Sequence, residues 1–150
     1  MRKIFLVAAM FAASVVVFVS CNKEKDEELI IGTWVFNSQT AEVDSNDSKT
    51  SDLIKRAMEH YSYTAGGTTY IFKEDGKLTL KFSNGSQTER TYQIKGNKLT
   101  QFEGEVTYTT EFKISGDYLK LYWDNTEYFK SEFPEAGVKK AMIVEDFRKK

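Results

Sequence analysis

Between Val106 and Ser115 the chain alternates without a break. Val106, Tyr108, Thr110, Phe112 and Ile114 lie on one side, and Thr107, Thr109, Glu111 and Lys113 on the other. A period of two puts successive side chains on opposite faces of an extended chain, so this stretch buries one clean face only as a β-strand. The same period recurs from Leu29 onward. Ile30, Ile31, Trp34, Val35 and Phe36 mark an opening strand over 29–37, and residues 69–73 form a second strand, ended by Glu74-Asp75-Gly76. Leu78, Leu80 and Phe82 share a face, as do Tyr92 and Ile94 within 88–94 and Leu119, Leu121 and Trp123 within 118–123. A short strand over 98–102 and a closing one over 141–148 complete the set.

The punctuation between these runs is tight. Asn84-Gly85 is a hairpin signal that suits a type I′ turn, in which both central residues need positive φ. Lys95-Gly96-Asn97, Gly104 and Ser115-Gly116-Asp117 separate the later strands. Two stretches break the pattern. Ser51 can cap a helix over 51–61 whose Leu53, Ala57, Met58 and Tyr61 fall on one side. The polar residues 38–50 before it read as a flexible loop, and Gly66-Gly67 releases the chain into the second strand. Residues 125–140 fit no single pattern, and Glu127 to Phe133 stays open as a further strand.

Short strands joined by consecutive tight turns favour an up-and-down meander, because Greek keys need long crossovers. The expected fold is therefore all-β: an antiparallel up-and-down barrel of about eight strands, with a short helix between the first two. Such a barrel has room inside for side chains or for one small ligand. A chain of 150 residues is one domain's length, and its 8 Tyr and 11 Phe supply the apolar surface a core needs.

The N-terminus reads as an address. Met1-Arg2-Lys3 is a basic start, and Ile4 to Val19 is apolar except for Ser14, the layout of a secretory signal peptide over residues 1–20. It ends at Ser20-Cys21, and Cys21 is the single cysteine of the chain. A small residue directly before a lone Cys resembles the lipobox of bacterial lipoproteins, with Phe18 where that family usually carries an aliphatic residue. The resemblance implies that cleavage leaves a lipidated Cys21, carrying chains such as palmitate, that tethers the protein to the cell outer membrane. An ordinary signal peptide followed by an unmodified cysteine is the alternative. Residues 22–28, Asn-Lys-Glu-Lys-Asp-Glu-Glu, form with Cys21 a charged tether. They also resemble the acidic export signals of some surface-exposed lipoproteins.

Gly32-Thr33-Trp34 opens the first strand and resembles the Gly-X-Trp signature of the lipocalin and calycin barrels. Together with the strand count and Phe72 to Leu80 in the second hairpin, residues 29–150 look like the lipocalin-like domains of small bacterial lipoproteins. The resemblance implies that Gly32 and Trp34 close one end of the barrel and that a basic residue from the chain end packs across the indole, a part that Arg148 could play. Guanidinium over indole is a cation–π contact worth about 0.5–2 kcal/mol.

Catalytic chemistry is not found. The single His60 suits a helix C-terminus beside Glu59, where a protonated imidazole stabilises the helix dipole. No Ser has a plausible His partner beyond it. Asp44 to Ser48 lacks the Gly and Glu of a calcium loop, and Gly66-Gly67 lacks the Lys of a phosphate loop. One Cys excludes a Cys-based zinc site, and a net charge of −1 gives no footprint for nucleic acid. The chain reads as a non-enzyme that calls for no cofactor and no metal.

Binding is better supported. If Tyr92 and Ile94 face inward, strict alternation turns Arg90 and Thr88 inward too, and Tyr108 and Thr110 join them. With Tyr70, Phe72, Leu121 and Trp123, these make aromatic walls with a few polar groups, as small-molecule sites have. An inward Arg90 could pair with the acidic headgroup of a small hydrophobic or amphipathic ligand, with the helix as lid. The same residues also fit a filled core in which Arg90 snorkels to water at the mouth. In that case the barrel is an interaction module for an envelope protein partner, and outward Tyr118 and Tyr122 are its first candidate contacts.

Overall fold

The computed structural model describes residues 29–62 and 67–150. The signal segment, Cys21 and the charged tether lie outside the described residues. Eight strands follow in order: β1 (Gly32–Asp44), β2 (Thr69–Phe72), β3 (Lys77–Lys81), β4 (Gln87–Lys95), β5 (Lys98–Glu103), β6 (Val106–Ser115), β7 (Tyr118–Asp124) and β8 (Lys140–Lys149). Each pairs antiparallel with the next, and β8 returns to β1, which closes the barrel. Helix α1 (Ser48–Ser62) lies between β1 and β2; helix α2 (Thr126–Glu132) and a 3₁₀ turn (Pro134–Ala136) lie between β7 and β8. Among the described residues no helix is long and apolar enough to cross a membrane. The all-β meander with its helix after the first strand is the expected fold.

Three local expectations are corrected, and one open stretch is assigned. Residues 38–44 are strand, not loop: β1 runs on to Asp44, paired to Lys140 of β8. The sequence supports this, since Ala41 and Val43 supply one apolar face while Glu42, on the other, forms an ion pair with Lys140. A bulge between Phe36 and Ser38 absorbs Asn37, so Phe36 (opposite Phe147) and Gln39 (opposite Glu145) both face inward.

The helix begins earlier than Ser51. Asp47 caps it, its carboxylate accepting from Thr50 N–H at 2.9 Å and from the Thr50 hydroxyl, and the latter bond chiefly holds the acid below the usual carboxylate range. Its buried face is also rotated. Ile54 and Met58 are sealed, a spacing of four, whereas Leu53 is 55% exposed.

The stretch left open at 127–133 is not a strand: Thr126–Glu132 form the helix α2, and Phe133 caps it. Asp124 Oδ1 accepts from Thr126 N–H at 2.9 Å, Phe129 turns inward, and Phe133 stacks on it one turn later at 6.4 Å. Pro134 then ends the run, having no N–H to continue the ladder.

The Asn84-Gly85 hairpin forms, but not as type I′. Gly85 alone takes positive φ, 83°, while Asn84 Oδ1 accepts from Ser86 N–H at 2.9 Å. Gly85 N–H donates to Phe82 O at 3.0 Å, so the turn is centred on Ser83 and Asn84, and Gly85 after them alone needs the left-handed region.

Two cores result. The first fills one end of the barrel with Ile30, Trp34, Phe72, Leu78, Leu119 and Phe147, among others. The second lies between α1, α2 and the long β1–β8 ladder, and joins Ile54, Met58 and Phe129 to Ala41 and Ala141. Residues paired across strands share a face, so register decides what faces inward. Ala41 is opposite Ile143, itself opposite Trp123, so the helices cover the inner face of the barrel at the end away from Trp34.

Candidate functional site: a polar layer inside the barrel

Trp34 seals one end. It is fully buried, and its Nε1 donates to Ile30 O at 2.6 Å. The cation over its ring is Lys149, with Nζ 5.1 Å from the centroid, and not Arg148. Register is the reason: Trp34 is opposite Lys149, and Val35 is opposite Arg148. Arg148 therefore points outward, where its guanidinium lies 5.9 Å from the Tyr118 ring. Gly32 has φ of 132°, and a Cβ there would stand 3.1 Å from Lys149 Cε, so the glycine leaves room for that lysine stem.

Above the sealed end the lining changes from apolar to polar. The pairings Tyr92–Gln101–Tyr108 and Leu121–Glu145–Gln39 carry the inward face across three strands each. Arg90, inward and largely buried, donates through Nε and Nη2 to Glu103 Oε2 at 2.8 and 2.7 Å, and through Nη1 to Gln101 Oε1 at 2.9 Å. Its guanidinium also lies 4.4 Å from the Tyr108 ring. Three of its five N–H donors are thus taken by Glu103 and Gln101, and its side chain is 14% exposed. Arg90 thus faces inward, and its acidic partner in the structure is Glu103 of the chain itself.

Trp123 Nε1 donates to Glu145 Oε2 at 2.7 Å. Burial pushes the Glu145 carboxyl above its ordinary range, against the pull of that hydrogen bond. Tyr70 is buried against Phe147, with centroids 4.9 Å apart. Its hydroxyl is pushed far up by burial and by Glu145, and down by Arg90, so both charged groups act on one interior space.

Phe72 and Tyr92 pack edge to face at 5.0 Å, and the Tyr92 hydroxyl donates to Lys73 O at 2.9 Å; Phe72 belongs to the packed end, and Tyr92, opposite Gln101, borders the polar layer. The Thr110 hydroxyl donates to Tyr122 O at 2.7 Å and ties β6 to β7 just beyond their last paired residues, Glu111 and Tyr122. The structure therefore gathers Tyr70, Arg90, Tyr108 and Trp123 around the polar layer and assigns Phe72, Tyr92 and Thr110 structural contacts.

Sequence reasoning missed Gln39, Gln101, Glu103 and Glu145. Three were within its reach: alternation from inward Leu99 gives Gln101 and Glu103, and alternation back from Phe147 gives Glu145. Gln39 needed the bulge.

Gln101 is wholly buried. Arginine only donates, so its bond to Gln101 fixes the amide with Oε1 toward Arg90 and Nε2 on the far side. That Nε2, and the buried Nε2 of Gln39, have no hydrogen-bond partner among the described residues. Beyond this layer, Met58, Asn125, Tyr128, Phe129 and Ile143 line a hollow of about 270 Å³ between the helices and the barrel. Ile143 lies one inward step along β8 from Glu145 and opposite Trp123, so the hollow abuts the polar layer.

No protein-family model matches the chain, and no curated protein matches it.

Proposed function

We propose that this chain is a lipid-anchored cell-envelope lipoprotein whose lipocalin-like barrel holds a small amphipathic molecule without transforming it. The observation that carries the reading is the Gln101 amide. A buried donor left without a partner costs about 1–3 kcal/mol, a cost that an acceptor brought by a ligand removes. The resemblance at Gly32-Thr33-Trp34 agrees with it, since Trp34 seals one end under a basic residue from the last strand. The Ser20-Cys21 junction supports the anchor and the outer-membrane location.

Purification of the full chain from its membrane, denaturation and mass spectrometry of the released small molecules test the proposal. One amphiphile at near-equal molar amount is expected, and it should be depleted in Gln101→Leu. Release of nothing, or of the same mixture from the variant, would sink the carrier reading.

The second reading is an interaction module for an envelope protein. It is favoured by exposed apolar side chains, Leu53 and Tyr128 on the helices and Tyr118 beneath Arg148. A stable protein partner recovered by crosslinking on intact cells, and lost on Tyr128→Ser, would support it.

A further inference from the structure

We infer that the ligand is a neutral amphiphile: an acyl or alkyl chain lodged against Met58, Phe129 and Ile143, and an uncharged head with a carbonyl oxygen, ester or amide, set between the free amide donors of Gln101 and Gln39. This rests on the carrier reading and adds the chemistry of the ligand.

The polarity of the head follows from what the layer lacks. Both unsatisfied atoms are donors, Gln101 Nε2 on β5 and Gln39 Nε2 on β1. These two strands stand on opposite sides of the eight-strand ring, so the two amides face one interior from opposite walls. What completes them is an acceptor between them, and a carbonyl oxygen has two lone pairs to offer.

The charge of the head follows from what the layer already holds. Arg90 is its one cation, and all three guanidinium nitrogens are engaged by Glu103 and Gln101. Glu145 is a second acid; among the described residues no cation pairs with it, and its hydrogen bond is from Trp123. A carboxylate or phosphate head would enter a layer with two acids against one arginine, whose charge Glu103 already balances. A cationic head would be drawn to Glu145 but would leave both amides unpaired. A neutral acceptor avoids both conflicts.

The tail follows from where space remains. The sealed end is packed by Trp34, Phe72, Leu78 and Phe147. The hollow under the helices is apolar on its Met58, Phe129 and Ile143 sides and adjoins Trp123 through Ile143. A chain lying there runs away from the polar layer toward the helices.

The test uses the full chain in phosphatidylcholine nanodiscs, titrated with monooctanoylglycerol, octanoate and octylamine and read by tryptophan fluorescence and calorimetry. Monooctanoylglycerol should bind at least about tenfold tighter than either charged probe, the equivalent of one well-made buried hydrogen bond. Gln101→Leu should weaken it about tenfold and abolish the preference. Gln39→Leu removes an unpaired donor without stripping Arg90 of a partner, so it keeps the test valid should Gln101→Leu fail to fold; it too should lose the preference. Octanoate or octylamine binding as tightly as the glyceride would overturn the ligand class and leave the carrier standing. Binding of the glyceride with full preference in both variants would overturn the placement of its head. Binding of no probe would overturn the carrier reading itself.

Discussion

Lys149 lies across Trp34, its ammonium 5.1 Å from the ring centre, while the stem passes over the bare backbone of Gly32. The same ammonium donates to Leu29 O at 3.3 Å, so it ties the segment entering the barrel to the last strand. Lys149→Ala should therefore lower unfolding stability by about 1 kcal/mol. Arg148→Ala, which removes only an outward contact with Tyr118, should cost less than half of that. Urea denaturation of the two variants side by side decides it. A larger loss for Arg148 would return the sealing role to that residue.

Trp34→Phe leaves a hole in a packed end and strips Ile30 O of its donor. A loss of about 2–4 kcal/mol is expected. A loss below about 1 kcal/mol would mean the end is looser than its packing implies.

Glu145 makes a prediction in pH. Its carboxyl is raised by burial, so the folded chain holds the proton more tightly than the unfolded chain does. Stability should then fall as pH climbs from the ordinary carboxylate value to the raised one, and level off above it. Glu145→Gln keeps an acceptor for Trp123 and removes the titration. Its melting temperature should match the wild type in acid and exceed it at neutral pH. Thermal melts across that window read the difference, and parallel curves would show that Glu145 titrates as a solvated acid does.

The phase of α1 separates two neighbours. Ile54→Ala opens the space between helix and ladder and should cost about 2–4 kcal/mol. Leu53→Ala should stay within about 0.5 kcal/mol, as exposed positions do. The reverse order in chemical denaturation would put the helix back on the face first read from its sequence.

The strands were legible because each has one wet face and one dry face, and alternation along β6 or β7 records that division residue by residue. The end of β1 was not, since Ser38 to Asp44 carries only two small apolar side chains, Ala41 and Val43, behind a bulge that shifts the parity. The α2 segment hid for a related reason. Tyr128, Phe129 and Phe133 suit strand and helix alike in composition, and the spacing of four between the two Phe residues was the one clue. Arg148 and Lys149 differ by a single register step, which the bulge in β1 and the length of β8 decide together. The polar layer lay within reach through Leu99, Gln101 and Glu103, but a buried Gln offers no signal in composition. Only its missing partner marks it.

The chain enters the barrel beside Trp34, and β8 finishes at the same pole, whereas α1 and α2 sit at the opposite one. Whatever grips the protein through the residues before Leu29 thus holds it by its blind pole. The helix-covered mouth then looks away from the point of attachment, like a cup standing on its base. On the carrier reading, a guest lifted out of a supporting surface would have to travel the height of the barrel to get in. One delivered from the far side would meet the opening directly.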